Sequence, residues 1–402
     1  MRKSINTGPY IRRFEIDAAR RPVVVFESDD WGACAFAPNP EVGEESRRVL
    51  ARFGLPIPRR LDGLESPAEL DRLFSVLASH KGADGLPPVF TAFTLMANPD
   101  FRAIRESGFT EYRDIAPGEG FPDGWNGDGV AEKWREGMER GLWEPEYHGL
   151  LHHNGEHTWM ALLRAPGRDG DLARALFDLN IYAQRRHLPE YEGLTVREQW
   201  RMIDTGFTRF ERLFGRMPAA SATSCAYPET ELLWAVRGAR TVCLKNCRVN
   251  SGEVVVYPTK PWNMQDVYAR MGDGCDKLDV AFLTRNVFWE SDNTLEEVQR
   301  TIEKVWTVHR EPAVISTHRS NYCNFELGCA EERLERLDRL LAWLAGKGAY
   351  FLTSAELGDL CRRGWSERRI GKNSLRRKWF ENAGKPEWPV GDHLAPSGRP
   401  AD

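Results

Sequence analysis

Pro22-Val23-Val24-Val25-Phe26-Glu27-Ser28-Asp29-Asp30-Trp31-Gly32 sets an apolar run directly before two acids and a glycine. A short β-branched and aromatic run after a proline predicts a strand buried on both faces, the kind found in parallel sheets. Two adjacent carboxylates at the mouth of such a strand are costly to desolvate unless they bind a cation or handle protons. Neighbours on an extended backbone point opposite ways, so aiming both acids at one place requires a turn, for which Gly32 is the candidate. The other reading is an Asp pair capping the next element.

The pattern continues outward from this strand. PVFTAFTL, 88–95, predicts a second strand, and between the two Leu70, Leu73, Phe74 and Leu77 recur at helical spacing over 67–80. Helices follow over 171–186 and 195–214, the latter stopped at Gly215. ETELLWAVRGA is helical and TVCLK a strand; 294–310 is helical, AVIST a strand, 331–345 a Leu-rich helix and AYFLT a strand, with Ser354 placed to cap the next helix. This alternation predicts an α/β fold with a mainly parallel sheet. The Gly- and Pro-rich stretch 111–129 reads as a long loop, either plain surface or a lid carrying Phe121 and Trp125. The expected organisation is an N-terminal extension, 1–20, a (β/α) body, 21–365, and a basic, Pro-rich tail, 366–402.

The bulk properties exclude several classes. A net charge of −4 over 402 residues argues against nucleic acid or an anionic membrane as partner. No stretch approaches 18 apolar residues and the N-terminal segment lacks a signal's apolar core, so a cytoplasmic protein without a transmembrane segment is expected. The 8 cysteines lack the spacing of a disulfide scaffold, and Cys243 and Cys247 have no second pair with which to hold a metal. The 14 tryptophans suit a core and also the aromatic faces that sugars pack against.

Two further motifs carry chemistry. EPEYHGLLHHNGEHTW holds His148, His152, His153 and His157, four of the nine histidines. In a helical turn, residues four apart share a face, so His148 and His152, or His153 and His157, could ligate one ion. ISTHR, 315–319, ends a late strand on His318, where α/β barrels assemble their active sites, although a lone histidine could equally be structural.

Asp29-Asp30 after the first strand, His148-x-x-x-His152 in mid-chain and His318 closing a late strand resemble, in order, the motifs of the polysaccharide deacetylase (NodB-homology) family, over roughly residues 20–360. SDDWG, YHGLLH and STHRSNY look like a divergent branch of it. The resemblance implies a distorted (β/α) barrel of about seven strands and a divalent ion, Zn²⁺ by ligand type, held by Asp30, His148 and His152. It implies Asp29 as general base, His318 as general acid and the Tyr227 backbone N–H as oxyanion donor. Trp31, Trp125 and Asn321 are the expected contacts to an N-acylated sugar. Ser224 stands where the family has the arginine that orients the base, so Arg285 or Arg319 must replace it, and Glu290 or Asp292 must tune His318. The expected reaction is removal of an acyl group from a nucleotide-linked or lipid-linked sugar or a nascent surface polysaccharide. The alternatives are hydrolysis of a non-sugar cyclic amide, a catalytically silent carbohydrate-binding homologue, and a two-His, one-carboxylate iron site.

Overall fold

Val23–Trp31 forms β1, nine residues of which only Asp30 is more than marginally exposed. Burial on both faces is what its unbroken apolar run requires. The computed structural model describes residues 11–12, 22–34, 36–56, 63–182, 190–223, 226, 228–244, 248–249, 253–254, 271–272, 274–275, 279–324 and 329–363. The later strands of the main sheet are β2 Phe90–Thr94, β3 Trp143–Tyr147, β4 Ala220–Ser221, β5 Thr241–Leu244, β6 Val280–Thr284, β7 Val287–Phe288, β8 Ala313–His318 and β9 Tyr350–Leu352.

The order of the parallel path is β6-β5-β4-β3-β2-β1-β8-β7, and β9 pairs in parallel with the first residues of β1. Eight strands thus share the path where about seven were expected. β6 and β7 lie at opposite ends of it, yet only Arg285 and Asn286 separate them in the chain. The sheet therefore curls back on itself. Gly274–Cys275 and Ile11–Arg12 extend the β6 end as short antiparallel strands, so the expected N-terminal extension contributes to the sheet.

Most helices fall where their periodicity predicts, but the one expected over 171–186 spans Arg168–Phe177, and 183–186 lie outside the described residues. Pro67–Ala78 is closed by a Ser66/Glu69 capping box and buries Leu70, Leu73, Phe74 and Leu77. Val196–Phe214 starts at a Thr195/Glu198 capping box and ends on Gly215 at φ 70°. Ser354 does not cap the last helix. Thr353 and Glu356 exchange the capping bonds, and the Ser354 hydroxyl instead donates to Glu27, 2.8 Å away. The stretch 111–129 is not a lid. Trp125 is buried, its Nε1 donating to the Asn180 carbonyl at 3.1 Å, and Phe121 packs edge-on against Trp134. No helix among the described residues is long and apolar enough to cross a membrane. Residues 366–402 lie outside the described residues.

Candidate metal centre

The turn that aims both carboxylates is Asp30 itself. Its φ of 73° lies in the left-handed region, and the β1–β2 register shifts between Ser28 and Trp31. Aspartate tolerates that conformation better than bulkier residues do. One flipped residue cancels the strand's alternation, so Asp29 and Asp30 reach the same end of the barrel. β8 runs alongside and brings His318 into register with Asp29.

His148 follows the last residue of β3 and is fully buried. Its Nδ1 lies 3.0 Å from the Ala222 carbonyl. A carbonyl can only accept, so Nδ1 carries the proton and Nε2 presents its lone pair. That Nε2 is 3.1 Å from Asp30 Oδ1, and His152 Nε2 is also 3.1 Å from it. The three ligand atoms lie within 4.8 Å of one another. Donors held tetrahedrally at about 2.0–2.2 Å stand about 3.4 Å apart, so two nitrogens and a carboxylate oxygen at this spacing fit an ion such as Zn²⁺. Burial pushes the Asp30 carboxyl up, but the neighbouring imidazoles, His152 foremost, outweigh it and hold it well below the usual range.

The two histidines do not meet on a helical turn. Residues 148–152 form a loop with Gly149 at φ 112° and His152 at φ 55°. The next histidines serve elsewhere. His153 Nε2 lies 3.4 Å from His152 Nδ1, and His157, half exposed, faces Glu198 at 3.9 Å.

Two ion pairs flank the triad. Arg285 spans both Asp29 oxygens at 2.7 Å each and donates Nε to Glu27 Oε2 at 2.7 Å, with all three side chains buried. Burial works against the guanidinium's charge, but Asp29 and Glu27 more than restore it. His318 Nδ1 is 2.6 Å from Glu290 Oε1, and its Nε2 faces Asp29 Oδ2 at 3.8 Å. Burial pulls the imidazole's pKa down, yet the charge and hydrogen bond of Glu290, with Asp30 and Asp29, raise it to about 9.

Other expected residues sit apart from this centre. Arg319 turns to the Gly63 carbonyl and to Glu65 at 3.4 Å rather than to Asp29. Trp31 is fully buried, edge-on to Trp143, so it is a core residue and not a sugar platform. Trp125 is likewise taken, buried with its indole N–H on Asn180. Asn321 is buried and donates to Glu290 Oε2 at 2.8 Å, which makes it a brace for Glu290. Asp292 has its Oδ1 3.2 Å from the Ser291 hydroxyl, whereas Glu290 faces His318. Ser224 and Tyr227 lie outside the described residues. Sequence reasoning missed Glu27, although a third acid two residues before Asp29 on one strand was a usable signal. It also missed Glu190, whose position far from the histidines gives none.

No family model and no curated relative matches the chain. Similar solved structures include the peptidoglycan deacetylase PdaC from Bacillus subtilis, at 12% identity and TM-score 0.35, covering 90% of this chain and 98% of that one. A protein of Mycobacterium smegmatis assigned to the polysaccharide deacetylases is 12% identical at TM-score 0.40, covering 85% and 90%. Puue allantoinase is 10% identical at TM-score 0.45, covering 90% and 97%. At such identities and scores these likenesses carry no argument, and both fold and chemistry are read from the chain's own strands and side chains.

Proposed function

We propose that the protein is a metal-dependent amide hydrolase that removes an acyl group from the nitrogen of a sugar. The observation that carries this reading is the opposed pair beside the triad: Asp29 clamped by Arg285, and His318 clamped by Glu290. Environments that keep one group ionised and its neighbour protonated assign a base and an acid. A Zn²⁺ ion held by Asp30, His148 and His152 would polarise the amide carbonyl and acidify a water. Asp29 accepts the proton of the attacking water, its oxygens fixed by the guanidinium. His318 delivers the proton on Nε2 to the departing nitrogen, and Glu290 on Nδ1 fixes that orientation. In this reading the Tyr227 N–H donates to the oxyanion. Arg285 does the work of the arginine that Ser224 replaces, which weighs against a silent homologue. The sugar rests on the resemblance of the three motifs.

Metal analysis of purified protein and an acetate-release screen over N-acetylated nucleotide sugars test it together. Wild type should carry metal, Asp30→Ala and His148→Ala should not, and Asp29→Asn should keep metal while losing about 10²–10⁴-fold in turnover. Metal retained in both ligand variants would end the assignment of the centre. A metal-loaded enzyme that opens cyclic amides and releases no acetate from any N-acetyl sugar would end the choice of substrate.

A further inference from the structure

The loop from Gly149 to His152 carries one of the three ligands and has no helix or sheet of its own to hold it. His148 is tied on one side, its N–H donating to the Thr94 carbonyl at 3.1 Å. On the other side Asn154 accepts from the His157 and Thr158 N–H groups and starts the helical turn Gly155–Trp159. Between these anchors the Leu150 and Leu151 side chains are buried, and so are their N–H groups. Both N–H groups donate to one oxygen, Glu190 Oε1, at 2.6 and 2.9 Å. Glu190 is itself fully buried and comes from a segment 38 residues beyond His152 in the chain. Gly149 leaves the room it occupies, because a Cβ there would overlap the Glu190 carboxylate. Burial pushes the Glu190 carboxyl up to about 7, against the pull of the two N–H groups and of His152.

We infer that Glu190 is a positioning residue for the metal centre: by receiving the Leu150 and Leu151 N–H groups, it holds the loop in the form that points His152 Nε2 at Asp30. This rests on reading Asp30, His148 and His152 as the ligands. Without the carboxylate, nothing else among the described residues satisfies those two N–H groups, and the loop must turn them toward water. His152, one residue on and held at φ 55°, would turn with them.

Zn²⁺ affinity of the full chain, measured by competition with a chromophoric chelator, and the visible spectrum after Co²⁺ substitution test the inference. Glu190→Ala should bind Zn²⁺ about 10–100-fold more weakly, the range seen when a ligand's support is removed. Its Co²⁺ spectrum should lose the intensity of a four-coordinate site. Glu190→Gln, whose carbonyl oxygen can accept the same two bonds, should stay close to wild type. Wild-type Zn²⁺ affinity and an unchanged Co²⁺ spectrum in Glu190→Ala would overturn the inference, whatever the change in melting temperature. Should Glu190→Ala fail to fold, Glu190→Asp, with its carboxylate withdrawn by one methylene, is judged by the same two readouts. If wild type and His148→Ala bind Zn²⁺ equally or not at all, the centre falls and this inference with it. If His148→Ala alone loses the ion, only the role of Glu190 is rejected.

Discussion

Arg285 holds two carboxylates that would otherwise repel each other in a dry interior. Glu27 and Asp29 are two apart on β1 and therefore share a face, and neither is exposed. Replacing Arg285 by methionine keeps an unbranched apolar stem and leaves both charges without compensation. The expected loss is about 3–5 kcal/mol in urea unfolding. Arg285→Lys should fall between, because one ammonium cannot span both Asp29 oxygens and reach Glu27. Equal stability of Arg285→Met and wild type would show that the carboxylates are already neutral. His318 makes a prediction in pH. Its folded pKa is raised, so the protonated form that the acid step needs persists through neutrality and is lost as pH climbs toward about 9. An ion at Asp30 offsets part of that lift, which lowers the limb in wild type and variant alike. Glu290→Gln removes the negative charge from Nδ1, and the alkaline limb of kcat/KM should move to lower pH. A limb that stays in place would remove His318 from the acid role.

The helix Val196–Phe214 meets β3 at a glycine. A Cβ on Gly206 would come 2.6 Å from Tyr147 Cε2, and Tyr147 is fully buried one residue before His148. Alanine gains up to about 1 kcal/mol in helix propensity over glycine, whereas overpacking a core costs about 1–3 kcal/mol. The overlap should win, because the ring has nowhere to go. Gly206→Ala is expected to lower the denaturation midpoint and weaken Zn²⁺ binding through His148. A stabilised variant with unchanged affinity would refute the close approach. Elements of this kind were legible: Leu70-x-x-Leu73-Phe74-x-x-Leu77 and the Thr195/Glu198 box carry their own local signals. The loop at 148–152 was not. Its i,i+4 histidines read as a helix because spacing reports helical geometry only when local hydrogen bonds form it. Here the bonds go to Glu190. The capping assignment of Ser354 failed by one residue for a similar reason, since that hydroxyl is taken by a strand on the far side of the chain.

Which carboxylates and histidines share the site was readable because parallel strands deliver their C-terminal ends to one rim; β1 ends on the acids and β8 on His318. How the sheet curls was not readable, since strand order depends on contacts between distant segments. The two terminal strands of the path are joined in the chain through Arg285 and Asn286, and Asn286 ties that link to β8. Its Nδ2 donates to the Pro312 carbonyl at 2.9 Å, and its Oδ1 accepts from the Val314 N–H at 2.9 Å. Its own N–H donates to the Val314 carbonyl at 3.2 Å. Asn286→Ala keeps only the backbone bond and leaves two buried backbone groups without the side chain that satisfied them. Each such group costs about 1–3 kcal/mol, so the variant should lose at least about 2 kcal/mol. The neighbouring residue is Arg285, so loosening the clasp also frees the guanidinium that fixes Asp29. Native-state hydrogen exchange separates a clasp from a local defect. A clasp predicts faster exchange along β7 and β8 together with lower turnover at full metal occupancy. A change confined to the Val314 amide, with turnover intact, would mean that Asn286 does not clasp the link to β8.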